Sequence, residues 1–208
     1  MDKMQQLIER TYPVLPVMVI KRLADAVPLA TALAKGGIDV FEVTLRTACA
    51  LDAIKAIKQD VPDALVGAGT VCSAEQLLQV QAAGADFAVS PGLTEQLAEA
   101  AVANNFILIP GVSTPSEVMR AQQYGFNLLK FFPAAQAGGV GMLKAFAGPF
   151  GNLKFCPTGG ISEANAADYL ALDNVVCVGG SWVCPNAMVE AGDWQGITDL
   201  AKATSQLG

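Results

Sequence analysis

Eight short apolar runs, each followed by glycine or proline and then by a segment of helical period, set the strongest limit on how this chain folds. They are LPVMVI (15–20), VFEVTL (40–45), ALVGAG (64–69), FAVS (87–90), FILIP (106–110), LLKFF (128–132), KFCPT (154–158) and VVCVGG (175–180). Over 208 residues they recur about every twenty-six, the low end for eight strand–helix units. Three helix-to-strand joints, AKGGIDVFEV, QAAGADFAVS and QQYGFNLLKF, share one layout, in which Gly37, Gly84 and Gly125 read as left-handed caps closing the helices. Ser73 with Gln76, and Thr114 with Pro115 and Glu117, read as helix starts of the capping-box kind.

This layout predicts an α/β protein: a single (β/α)8 TIM-barrel domain of short form over 1–208, with a short N-terminal helix. An open doubly wound sheet is the alternative. It lacks the GxGxxG that opens a dinucleotide site, and GAGT at 67–70 is too short to supply one. An apolar fraction of 52% against 15% charged residues fits strands buried on both faces.

The net charge of −6 argues against nucleic acid or an anionic membrane as partner. A phosphate ligand would therefore need a local holding device. The N-terminal apolar run is short and closed by Lys21 and Arg22, unlike a signal peptide or a membrane span, so a cytoplasmic location is expected. Five scattered cysteines without a CxxC read as reduced thiols. The chain has no histidine, which removes His-ligated zinc, Ser-His-Asp triads and Cys-His pairs. Acid–base work falls to carboxylate, lysine, tyrosine or cysteine.

Three constellations carry chemistry. In FEVTLRT, strand alternation puts Glu42, Thr44 and Arg46 on one face and Phe41, Val43 and Leu45 on the other. A barrel sets its apolar face against the helices, so the polar face points inward, as a site or as a structural ion pair. In LLKFFPA, Lys130 stands in an apolar strand. Burying an unpaired ammonium costs several kcal/mol, so Lys130 either pairs with a carboxylate such as Glu42 or reacts with carbonyls as an amine nucleophile. The echo NLKFCPT carries Lys154, which follows the loop GPFGN and so begins its strand, away from the C-terminal end where barrels place their chemistry. Finally, TGGIS (158–162) and VGGSW (178–182) follow the seventh and eighth runs, where barrels hold phosphate on backbone N–H groups. Tight turns alone would also explain such pairs. Thr70 and Pro91 end the third and fourth runs at the pocket mouth, and Phe132 shares the lysine's face.

EVTLRT, VGAGTV, VSPGL, LIPGV, LKFFPA, FCPTGGI and CVGGSW together resemble the 2-keto-3-deoxy-6-phosphogluconate aldolases, class I bacterial enzymes that also cleave 4-hydroxy-2-oxoglutarate. The likeness runs along essentially the whole chain. EVTLRT is the wording of this branch; the related 2-keto-3-deoxy-6-phosphogalactonate aldolases lack that arginine. The resemblance implies Lys130 as the Schiff-base lysine and Glu42 as general acid/base. It implies Arg46 and Thr70 on the substrate carboxylate, and Thr158 near the hydroxyls that distinguish epimers. Gly159, Gly160, Gly180 and Ser181 would line the phosphate site, with Pro91 and Phe132 also against the substrate. It further implies a homotrimer, pyruvate and glyceraldehyde 3-phosphate as products, and no metal or cofactor. A phosphosugar isomerase or a non-catalytic phosphate-binding barrel would use the glycine pairs but form no imine.

Overall fold

The computed structural model describes residues 3–11, 13–204 and 206–207. The apolar runs become parallel strands: β1 (Val14–Met18), β2 (Val40–Thr44), β3 (Leu65–Gly69), β4 (Phe87–Val89), β5 (Ile107–Ile109), β6 (Gly111–Val112), β7 (Leu128–Phe131), β8 (Lys154–Pro157) and β9 (Val178–Gly180). The segments between and around them form α1 (Lys3–Thr11), α2 (Ala26–Lys35), α3 (Ala50–Asp60), α4 (Ala74–Ala82), α5 (Glu95–Ala103), α6 (Pro115–Gln123), α7 (Gly139–Ala147), α8 (Glu163–Leu170), α9 (Asn186–Ala191) and α10 (Trp194–Thr204). Among the described residues no helix is long and apolar enough to cross a membrane.

The pairing differs from one eight-stranded ladder. Six strands form a curled parallel sheet in the order β5-β4-β3-β2-β1-β9, and three form a second in the order β6-β7-β8. The expected fifth run ends at Pro110, which has no N–H to give the ladder, and pairing resumes beyond it in β6. Its carbonyl still accepts from the Lys130 N–H at 2.9 Å, so the run stays against β7. At the other seam, β8 meets the segment leading into β9 through two isolated parallel bridges, Phe155–Val175 and Thr158–Gly179. Their offsets (175 − 155 = 20; 179 − 158 = 21) differ by one residue, so a bulge interrupts that ladder.

Strand alternation sorts the side chains into two cores. Phe41, Val43, Leu129, Phe131 and Phe155 pack outward against the helices, where Phe131 meets Phe146 edge-on at 5.9 Å. Leu15, Val40, Phe87, Val89, Ile109, Leu128, Cys156 and Cys177 fill the interior, together with Leu7 from α1. Burying a leucine of this kind contributes about 1.5–3 kcal/mol, which anchors α1.

The expected caps form. Gly37, Gly84 and Gly125 have positive φ, and the next residue's N–H bonds back five residues (Ile38 to Leu33, Ala85 to Val80, Phe126 to Ala121). A fourth joint does the same with Asn105 at φ 46° and Phe106 bonded to Ala101; asparagine tolerates this conformation without announcing it as glycine does. Thr114 and Glu117 make a reciprocal capping box with Pro115 in the first turn. Ser73 accepts from the Gln76 N–H, but Gln76 Oε1 reaches back one residue further, to the Cys72 N–H at 2.7 Å.

Candidate active site

Glu42 stands two residues after Val40 on the inward face of β2, and Lys130 two residues after Leu128 on that of β7. These strands do not pair, so the two side chains meet across the interior. Lys130 Nζ lies 3.5 Å from Glu42 Oε1, with the residues 5% and 1% exposed. That separation exceeds the ~2.7–2.9 Å of a strong charge-assisted hydrogen bond. Glu42 Oε2 is the one buried side-chain oxygen or nitrogen among the described residues with no hydrogen-bond partner. That oxygen is committed to no donor of the described protein residues, whereas a structural ion pair is ordinarily fixed by further hydrogen bonds. Phe132, also inward, holds its ring centroid 5.2 Å from Lys130 Nζ and stabilises the cation through its face.

Beyond the pair, at the strand ends, opens a pocket of about 480 Å³. Arg46, Phe132, Thr158, Gly159, Gly160, Gly180 and Ser181 line it, seven of the residues expected from sequence. Arg46 lies in the turn after β2, and among the described residues its guanidinium makes no ion pair. Gly159 (φ 101°) and Gly160 (φ 73°) are both left-handed, a backbone that turns successive N–H groups toward an anion. The loop after β7 braces them: Ala134 N–H donates to Thr158 O and Ala135 N–H to Gly159 O.

Thr70 and Pro91, also expected from sequence, are not among the residues lining this pocket. Thr70 follows β3 with φ 62°, strained for a β-branched residue and the kind of outlier that gathers at functional sites. Pro91 is exposed; its carbonyl carbon and oxygen press on Gly111, which pairs in register with Lys130. Thr44 leaves the group proposed for β2, because its hydroxyl donates to Met18 O at 2.9 Å. Lys154 is exposed at the first position of β8 and donates to Asp173 O at 2.7 Å, far from any carboxylate partner of the interior kind.

Sequence reasoning did not single out Val17, Val19, Trp182, Cys184, Pro185 and Asn186, which also line the pocket. Trp182 packs against Gly180, where a side chain would enter its ring. Only the tryptophan after the second glycine pair hinted at this wall.

A buried amine and an incompletely bonded carboxylate beneath an arginine and two glycine loops suit carbonyl chemistry on an anionic substrate. Comparison with known proteins agrees. The family model for KDPG and KHG aldolases matches residues 6–200. The chain belongs to this family. It is 58% identical over 192 residues to the KHG/KDPG aldolase of Escherichia coli, covering 92% of this chain and 90% of that protein. Among solved structures, the KDPG aldolase of Legionella pneumophila, with pyruvate captured as a covalent carbinolamine, superposes with a TM-score of 0.93 at 51% identity, covering 95% of this chain and 96% of that one. The Zymomonas mobilis aldolase with 3-phosphoglycerate gives 0.91 at 49% identity, covering 98% and 95%.

Proposed function

We propose that this protein cleaves 2-keto-3-deoxy-6-phosphogluconate to pyruvate and glyceraldehyde 3-phosphate, and 4-hydroxy-2-oxoglutarate to pyruvate and glyoxylate, through an imine on Lys130. The observation that carries the reading is the buried Lys130–Glu42 pair, joined to the pocket wall by Phe132, whose ring faces Lys130 Nζ.

Lys130 passes one ammonium proton to Glu42, its freed Nζ adds to the C2 ketone, and that proton returns to the hydroxyl that leaves as water, giving an iminium that draws electrons from C3. Glu42 takes the proton from the C4 hydroxyl. The C3–C4 bond breaks, its electron pair forming the enamine while C4 leaves as the aldehyde. Glu42 returns a proton as C3 is protonated, and water hydrolyses the new iminium to pyruvate and free Lys130. A single carboxylate working in both directions is ordinary general acid–base catalysis. Arg46, with Thr70, holds the 2-keto acid's carboxylate through its planar fork. Thr158 meets the sugar hydroxyls, and Gly159, Gly160, Gly180 and Ser181 receive the phosphate; Pro91 and Phe132 bound the reacting end.

The same reading treats the two sheets as one closed (β/α)8 barrel forming a single domain. Its support is the continuity of β5 with β6 through Pro110 and the two bridges at the β8–β9 seam. The family likeness adds a homotrimer and a cytoplasmic setting.

Pyruvate release coupled to lactate dehydrogenase tests the assignment. The gluconate-derived substrate should be cleaved faster than its galactonate epimer, and 4-hydroxy-2-oxoglutarate should also yield pyruvate. Preference for the galactonate epimer would overturn it.

A further inference from the structure

The glycines of β3, in the stretch VGAGT, are not among the residues lining the pocket. Register places Gly67 opposite Glu42 and Gly69 opposite Thr44. Neither has a left-handed φ, so backbone conformation does not call for glycine at either position. Space does. A Cβ on Gly67 would enter the Phe87 ring, coming within 2.6 Å of Cδ2 and nearer still to Cε2 and Cζ. A Cβ on Gly69 would stand 2.6 Å from both Cγ and Cδ of Glu42 and overlap Oε1. Ala68 between them packs outward in the helix-facing core.

A buried carboxylate is ordinarily oriented by the hydrogen bonds it accepts. Glu42 has one polar contact among the described residues, the 3.5 Å approach to Lys130, and its Oε2 has none. The neighbouring strands supply its packing. The Phe87 ring fills the volume beside Gly67, and the missing side chain of Gly69 is the volume the carboxylate occupies.

We propose that Gly69 is a positioning residue: its missing side chain is the mould that keeps the Glu42 carboxylate facing Lys130, so that shape places the acid–base group. This rests on the reading of Glu42 as acid/base. With any side chain at position 69 the carboxylate turns away from β3, and proton transfer loses its geometry while the amine stays in place.

A double-mutant cycle on the full-length protein tests it, comparing parent, Gly69→Ala, Glu42→Ala and the double variant. Gly69→Ala should lower kcat for the phosphorylated keto acid about 100-fold or more, the scale of a lost acid–base group. Borohydride should still trap pyruvate on Lys130 in that variant at long incubation. Where Glu42→Ala has emptied the space, adding Gly69→Ala should change kcat by less than about threefold, because the group it displaces is gone. If Gly69→Ala alone does not fold, the double variant should fold with the thermal midpoint of Glu42→Ala, which locates the clash at Glu42. A Gly69→Ala enzyme within about threefold of the parent overturns the proposal, as do multiplying losses or a double variant that also fails to fold. If Glu42→Ala itself keeps the parent's kcat, it is the acid–base reading that fails, and the cycle shows this separately.

Discussion

Replacing Lys130 and Glu42 singly and together distinguishes a pair kept for chemistry from one kept for stability. At 3.5 Å and an effective dielectric of about 20, the two charges attract by about 5 kcal/mol. Against that stands the desolvation of two ions, still several kcal/mol each after relaxation, with no further hydrogen bond to Oε2. The pair is thus a net cost, while either charge alone is worse. Lys130→Met strands the Glu42 carboxylate at 1% exposure and should cost about 3–5 kcal/mol. For a chain of this size, at about 3 °C per kcal/mol, the thermal midpoint falls by about 9–15 °C. Glu42→Met should cost less, because Lys130 keeps the face of the Phe132 ring 5.2 Å from its Nζ. Methionine follows the same unbranched path in both places, so the double variant should lie about 1–4 kcal/mol above the parent, with a midpoint about 3–12 °C higher and no aldolase activity. Calorimetry and urea titration read the stabilities. A double variant less stable than both singles would refute the reasoning and make the pair a structural one.

Other expectations follow from the same geometry. Arg46→Ala should lower kcat/KM by about 10- to 150-fold, the worth of a hydrogen bond to a charged group, and Arg46→Lys should recover only part, since the planar fork is lost; equal rates in steady-state assays would discard its carboxylate role. Burial acts to raise the Glu117 carboxyl, but hydrogen bonds from the Ser113 and Thr114 N–H groups and hydroxyls outweigh it and hold the carboxyl below its ordinary range. A lowered folded value adds stability that is present above the unfolded value and is lost as pH falls through the folded one. Glu117→Gln should therefore lower the thermal midpoint at pH 7, with the gap to the parent closing below about pH 4; a gap that widens in acid contradicts this. Burial pushes the Cys184 thiol up to about 12, and Cys177 is raised by its hydrogen bond with Cys156 and then by burial. Iodoacetamide at pH 8 should modify the exposed Cys72 first and reach Cys156, Cys177 and Cys184 only in denaturant, as peptide mass spectrometry would show.

Where side-chain period and turn chemistry decide structure, the sequence was readable. The alternation in VFEVT and LLKF places Val40, Glu42, Leu128 and Lys130 inside and Phe41, Val43, Leu129 and Phe131 outside, because strand geometry leaves no other choice. The glycine caps and the start of β8 at Lys154 were equally legible. Features that depend on non-local geometry were not. Thr44 shares the face of Glu42, yet its hydroxyl is taken by Met18 on the neighbouring strand, a partner set by register. Pro110 was visible as a strand end, but not as a break after which pairing resumes at Gly111. The wall built by Val17, Val19, Trp182 and Asn186 depends on how the end of β1 and the segment from β9 to α9 approach one another. The shape of β3 shows most clearly what one strand alone conceals: its two glycines look alike in sequence, and only the neighbouring strands reveal that one accommodates a ring and the other a carboxylate.

The central claim is that Lys130, and not its echo Lys154, carries the imine. Reducing the protein with borohydride in the presence of pyruvate, then mapping peptides by mass spectrometry, should place a reduced pyruvate adduct on Lys130 alone and show none in Lys130→Met. An adduct on Lys154, an adduct that survives Lys130→Met, or no adduct at all would contradict the account.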